Sequence, residues 1–97
     1  VVVISKTKLT DFCAKHADAV EPVNNWWKTT KDADWASLAD IKATFKSVDY
    51  VGNDRYVFNI KGNRYRLVAM IFFDRRTMYI RFIDTHAEYN KIDCTTI

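Results

Sequence analysis

The stretch that decides the fold runs from Val57 to Asp93 and reads VFNIKGNRYRLVAMIFFDRRTMYIRFIDTHAEYNKID. Aromatic and β-branched residues alternate with polar ones through much of it, and Gly62-Asn63 and Asp74-Arg-Arg-Thr77 interrupt the pattern. This predicts three successive strands folded back on one another. Gly62-Asn63 is a two-residue hairpin signal of the II′ kind, which fixes register by arithmetic. Lys61 should face Arg64, Asn59 should face Arg66, and Val57 should face Val68. These six share one sheet face, because side chains alternate along a strand. Tyr56, Phe58, Ile60, Tyr65, Leu67, Ala69 and Ile71 take the other face. The second set is far more apolar and should pack under helices. The first set then looks outward. Its plain reading is the solvated side of an antiparallel sheet; its other reading is a cationic surface for an anion.

The second turn leaves the third strand's facing open. An odd number of loop residues puts its even-numbered members, His86 included, on the face of Arg66. An even number puts Arg81 and Thr85 there.

Upstream, Val1–Ile4 is a continuous β-branched run and reads as a first strand. It is too short for a signal peptide or a membrane span. The lack of an initiator Met leads to the expectation of a trimmed or tag-fused start, with Val1 and Val2 not native. Leu9, Phe12, Cys13 and His16 then recur at helical spacing, with Ser5 or Thr7 as cap. A second helix is expected from Asp18 to about Lys31, with Pro22 near its start. Val20, Val23, Trp27 and Thr30 would form its buried face, and Trp26 would point about a third of a turn away. Ser37-Leu-Ala-Asp40 fits a capping box with Asp in place of Glu, opening a short helix with Leu38, Ile41 and Phe45 inward. The fold class expected is α+β. An N-terminal strand and two to three helices pack on one face of a twisted antiparallel sheet, in one domain over residues 1–97.

The chain carries 15 basic and 12 acidic residues, a net charge of +3. That permits a polyanionic partner without demanding one. Its distribution says more: Arg55, Lys61, Arg64, Arg66, Arg75, Arg76 and Arg81 stand against Asp74 alone between Arg55 and Arg81. The positive charge belongs to the strands. Cys13 and Cys94 form no CxxC pair and read as free thiols of a cytoplasmic protein. His16 and His86 are the only histidines and no HxxxH or HExxH occurs, so neither a metal site nor a cofactor is expected. No Gly-rich phosphate loop is present.

GNRYRLV followed by YIRFIDTHAEYNKID resembles the HigB toxins of bacterial toxin–antitoxin pairs, within the RelE-like superfamily. Trp26-Trp27-Lys, Ala33-Asp-Trp35, the run from Ser37 to Lys42 and Val51-Gly-Asn-Asp54 resemble the same family, so the likeness spans nearly the whole chain. It implies a small microbial ribonuclease-type fold and an endoribonuclease that cuts mRNA in the A site of the ribosome. It also implies a HigA-type antitoxin partner with a helix-turn-helix domain, operator DNA bound only through that complex, and no membrane. By the same resemblance, Arg66 matches an arginine near the scissile phosphate. His86 falls where relatives place an arginine or histidine, and Tyr89 lies near a functional aromatic. Some relatives carry two lysines on the strand before the hairpin; this chain has Asn59 and Lys61 there.

RNA cleavage without metal needs a base for the 2′-OH proton, an acid for the leaving 5′-oxygen, and fixed positive charge for the phosphorane. An imidazole exchanges protons near neutrality, so His86 is the candidate acid, or else the base. A guanidinium matches phosphate geometry, so Arg66 is the charge stabiliser. Tyr89 is the third catalytic candidate, by stacking or hydrogen bonding. Lys61, Arg64, Arg81 and Asn59 are candidates for RNA binding. His16 reads as structural, and Trp26, Trp27 and Trp35 read mostly as core. Two other functions use the same residues: a non-catalytic RNA- or ribosome-binding inhibitor of translation, and a subunit whose basic face docks an acidic protein.

Overall fold

In the computed structural model, which describes residues 1–97, a five-stranded sheet is covered on one face by three helices. The elements are β1 (Val2–Ile4), α1 (Lys6–Lys15), α2 (Val20–Asp32), α3 (Leu38–Thr44), β2 (Asp49–Gly52), β3 (Arg55–Ile60), β4 (Tyr65–Phe72), β5 (Thr77–Thr85) and α4 (His86–Tyr89). Spatial order is β1-β5-β4-β3-β2. β2 to β5 form an antiparallel meander, and β1 adds to its edge parallel to β5. The α+β class holds, with a sheet that is mixed at one edge and longer by one strand than the sequence pattern suggests. The additional strand is β2, which the turn at Gly52-Asn53-Asp54 folds back onto β3.

The first hairpin keeps the expected register. Asn59 pairs with Arg66, Val57 with Val68 and Ile60 with Tyr65. The loop itself is wider than two residues, because Lys61 (φ 53°) and Gly62 (φ 66°) both adopt left-handed backbone. Lys61 and Arg64 thereby leave the ladder, although the Arg64 N–H still donates to the Lys61 carbonyl at 3.2 Å.

The core lies between the helices and the apolar sheet face. Leu9, Phe12, Val23, Trp26, Trp35 and Ile41 meet Tyr56, Phe58, Ile60, Tyr65, Leu67, Ala69, Ile71, Met78 and Ile80. Trp26, Trp35, Phe45 and Phe58 interlock, with T-shaped contacts of 5.4 Å (Trp26–Phe58), 5.6 Å (Phe45–Phe58) and 5.9 Å (Trp35–Phe45), the geometry their ring quadrupoles favour. The buried stripe of α2 is Val23, Trp26 and Thr30, not Val20 and Trp27. Val20 is exposed, and Trp27 lies half-buried beneath the ammonium groups of Lys6 and Lys31. The helix is turned because a 3₁₀ turn at Ala17–Ala19, with Ala19 fully buried, sets its entry. The capping box is also altered: Asp40 accepts the Ala36 N–H at 2.8 Å, while the Ser37 side chain makes no cap bond.

The second sheet face is less open than the sequence suggests. Val57 and Val68 on it are buried. The segment after β5 folds back across this face: Arg55 donates to the Ile97 carbonyl from Nε at 3.1 Å and from Nη2 at 2.6 Å, and Asn53 donates to the Thr95 carbonyl at 2.9 Å. Cys13 and Cys94 are free. No helix is long and apolar enough to cross a membrane.

Candidate functional site

β5 is what brings the candidate residues together. Between β4 and β5, Phe72 pairs with Thr77 and Met70 with Tyr79, so near the turn the odd-numbered residues of β5 share the face of Arg66. The four-residue loop has the even parity that would put Arg81 and Thr85 there too. Instead the ladder shifts between Val68 and Ala69: Ala69 pairs with Ile80, but Val68 pairs with Phe82. Arg81 is the extra residue of a β-bulge, which re-aims every side chain after it. Beyond it the even-numbered residues take over, and Asp84 stands directly beside Arg66. Both alternatives left open by the sequence therefore hold, each over half of the strand.

β5 runs straight into α4. Thr85 caps it, its hydroxyl accepting the Glu88 N–H at 3.2 Å. This first-turn geometry fixes His86 at the start of the helix. The His86 N–H donates to the Arg64 carbonyl at 3.2 Å and so ties the helix to β4. Asn90 Nδ2 lies 3.2 Å from His86 Nδ1. With the amide donating, Nδ1 is the acceptor, and the proton of the neutral ring sits on Nε2. One turn on, Tyr89 packs near both His86 and Phe82, with ring centroids 6.4 and 6.5 Å apart.

The Arg66 guanidinium lies over the Tyr89 ring, its Cζ 4.8 Å from the centroid. A cation on an aromatic face is held there electrostatically. Arg66 Nε and Asn59 Oδ1, on adjacent strands, are both buried without a hydrogen-bond partner. Unpartnered buried polar atoms are uncommon, and these two belong to directly paired residues. The Tyr89 hydroxyl donates to Cys94 Sγ at 3.4 Å. Burial first, and the Cys94 contact second, push this phenol above its ordinary pKa; the Arg66 charge pulls in the opposite direction. Tyr89 is therefore a neutral ring and donor at physiological pH.

Arg66, His86, Tyr89 and Asn59 thus occupy one region. Lys61 and Arg64 lie elsewhere, at the hairpin tip, each with its cation 3.0 Å from Asp18 Oδ2. The Tyr65 hydroxyl donates to Asp18 Oδ1 at 2.5 Å. Tyr65 chiefly, then Lys61 and Arg64, hold the Asp18 carboxyl well below the usual carboxylate range. Asp18 is some forty residues away in sequence, so no local pattern announces this clamp. Arg81 is exposed on the α1 side of the sheet. The role of Cys94 beneath Tyr89 has no sequence signal either. No group of three or more His, Cys, Asp or Glu side chains is placed to hold a metal ion.

Comparison with known proteins adds to this geometry. A family model described as HigB_toxin, the RelE-like toxic component of a toxin–antitoxin system, matches residues 19–92. The mRNA interferase HigB of Escherichia coli O6:H1 is 25% identical over 92 residues, spanning 93% of this chain and 89% of that protein. The mRNA interferase toxin HigB of Escherichia coli K12 is 47% identical over 53 residues, or 52% of this chain and 50% of its own length.

Proposed function

This chain belongs to the HigB family of RelE-like toxins, the toxic components of toxin–antitoxin systems, and we propose that it is an mRNA endoribonuclease working through Arg66 and His86. Its relatives are named mRNA interferases. The observation that carries the reading is the Arg66–Tyr89 stack beside His86, on a face to which the bulge at Arg81 has turned β5.

The chemistry follows from what each group offers. The 2′-OH of the substrate attacks the adjacent phosphorus, and the bond to the 5′-oxygen breaks. The products are a 2′,3′-cyclic phosphate and a 5′-hydroxyl end. Arg66 supplies charge to the non-bridging oxygens as the phosphorane forms, already oriented by Tyr89 and so without reorganisation cost during the step. His86 presents Nε2 for proton transfer: as the imidazolium it protonates the leaving 5′-oxygen and is left neutral, while the 2′-OH proton passes to solvent. General acid–base help of this kind contributes about 10²- to 10⁴-fold. Tyr89 is a positioning residue in this scheme, and Asn59, paired with Arg66 on the adjacent strand, belongs to the same RNA-binding region. The 2′-OH requirement restricts the reaction to RNA. The step uses protein groups and solvent alone and so persists in chelator.

A toxin of this family has an antitoxin partner. The partner in this reading is a HigA-type protein with a helix-turn-helix domain, through which alone operator DNA is bound. The substrate is mRNA in the ribosomal A site, and the compartment is the cytoplasm. Residues 1–97 act as one toxin domain.

Mapping transcript 5′ ends after brief induction tests the reading. New 5′-hydroxyl ends within coding sequence are expected for wild type and not for His86→Ala. Growth arrest with no new ends would instead assign the chain to non-catalytic inhibition of translation.

A further inference from the structure

The largest cleft of the molecule is not the Arg66 region. It lies between α1 and the edge of β5 and encloses about 280 Å³. β1 pairs with β5 only from Thr77 to Tyr79, so beyond that point β5 has no neighbouring strand on this side. Lys8 and Lys15 line the cleft from α1, and Arg81 lines it from β5. Positions 8 and 15 are two turns apart on one helix face. Arg81 is there because it is the bulge residue. None of the three cations has an acid within salt-bridge distance, although Asp11 and Asp84 also line the space. The remaining wall is aromatic: His16, half-buried, stacks on Phe12 with ring centroids 4.4 Å apart.

Unpaired cations around an aromatic platform are the equipment of single-strand recognition, in which phosphates meet the cations and a base stacks on a ring. The cleft reaches the rim of β5, on whose far face the Arg66 region lies. Asp84 lines the cleft, and Asp84 is the direct cross-strand partner of Arg66. We infer that the α1–β5 cleft is a second RNA subsite, holding the backbone and one base of the strand whose scissile phosphodiester lies at Arg66. The inference rests on the endoribonuclease reading for its substrate. It assigns Lys8, Lys15 and Arg81 to backbone phosphates and His16 to a base. His16, which the sequence presents as a structural residue on a helical stripe, then has two duties: packing on Phe12 and offering a stacking surface.

The test is fluorescence anisotropy with a labelled, unstructured RNA of about 12 nucleotides, within the range such grooves cover. The protein is the full chain carrying His86→Ala, so that the probe survives. Adding Lys8→Ala, Lys15→Ala and Arg81→Ala together should weaken binding at least tenfold. It should also flatten the salt dependence of log K by about 2, at about 0.7 for each single-strand phosphate that the protein ceases to neutralise. His16→Ala should weaken binding about fivefold or more, and His16→Phe, which keeps an aromatic ring on Phe12, should restore it. Thermal midpoints confirm that each variant is folded. A folded triple variant with unchanged affinity and salt slope overturns the proposal, as does a parent protein that binds no RNA. Wild-type cleavage of mRNA is measured separately. Its absence would remove the reading at Arg66, whereas unchanged binding by the triple variant would remove only the cleft.

Discussion

Replacing Tyr89 separates two roles that its position permits. The ring lies 4.8 Å from the Arg66 guanidinium carbon, and its hydroxyl is engaged with Cys94 Sγ, a weak acceptor. A cation over an aromatic ring is worth about 0.5–1 kcal/mol when exposed and about 2 kcal/mol when desolvated. Arg66 is half-buried with Nε fully covered, so the upper part of that range applies. At about 1.4 kcal/mol per decade, removing the ring costs about 5- to 30-fold in the fraction of time Arg66 is correctly placed. Tyr89 also packs against Phe82, and misplacement of a phosphate ligand by about 1 Å adds to the loss. Tyr89→Ala should therefore slow single-turnover cleavage of mRNA about 10- to 100-fold. Tyr89→Phe should stay within about threefold of wild type, because it keeps the stack and gives up only a hydrogen bond to sulfur. Circular dichroism and a melting curve on the same samples show whether the fold survives. A Tyr89→Phe protein that is folded and as slow as Tyr89→Ala would refute the positioning role and give the hydroxyl a part in the chemistry.

Further expectations concern the scaffold. Asp18 has a folded-state pKa depressed by Tyr65, Lys61 and Arg64. Its stabilising contribution is thus complete above the unfolded carboxylate value near 4 and is lost as pH falls towards the folded value. The melting-temperature gap between wild type and Asp18→Asn should be constant from about pH 7 to 5 and narrow below about pH 4; a gap that does not change with pH would contradict the clamp. Gly62 has φ +66°, and the space that a Cβ would occupy there is open, so Gly62→Ala should cost only backbone strain, about 1 kcal/mol by urea unfolding. Leu67 is fully buried, and Leu67→Ala should cost about 2–5 kcal/mol in the same assay, a loss under about 1 kcal/mol arguing against its place in the core.

The β3–β4 hairpin is legible in the sequence because two independent signals agree. The Gly62-Asn63 turn and the alternation on either side of it specify one register, and the structure adopts it. The first helix is legible from Leu9 and Phe12, both buried at helical spacing. What stays hidden depends on residues remote in sequence or on cancelling irregularities. The facing of β5 is set by an even loop and then reversed by a bulge, and nothing about Arg81 itself signals the insertion. The burial of Trp26 in preference to Trp27 follows from the entry angle that Ala17–Ala19 impose, a packing effect on top of helical periodicity. Lys61 and Arg64 belong to a basic run in sequence, yet Asp18 claims both in space. Charge counting along a strand cannot foresee a partner supplied by the helical layer. The return of residues 90–97 across the second sheet face is hidden for the same reason.

The inserted residue in β5 turns Asp84 onto the side of Arg66 just before the strand runs into His86, and the proposed reaction requires both Arg66 and His86. Single-turnover cleavage of an A-site mRNA by purified protein in chelator measures that dependence directly. Cleavage leaving 5′-hydroxyl ends, slowed at least about 100-fold by Arg66→Ala and again by His86→Ala in folded proteins, is the expected result. Cleavage that proceeds at the wild-type rate in either variant would contradict it.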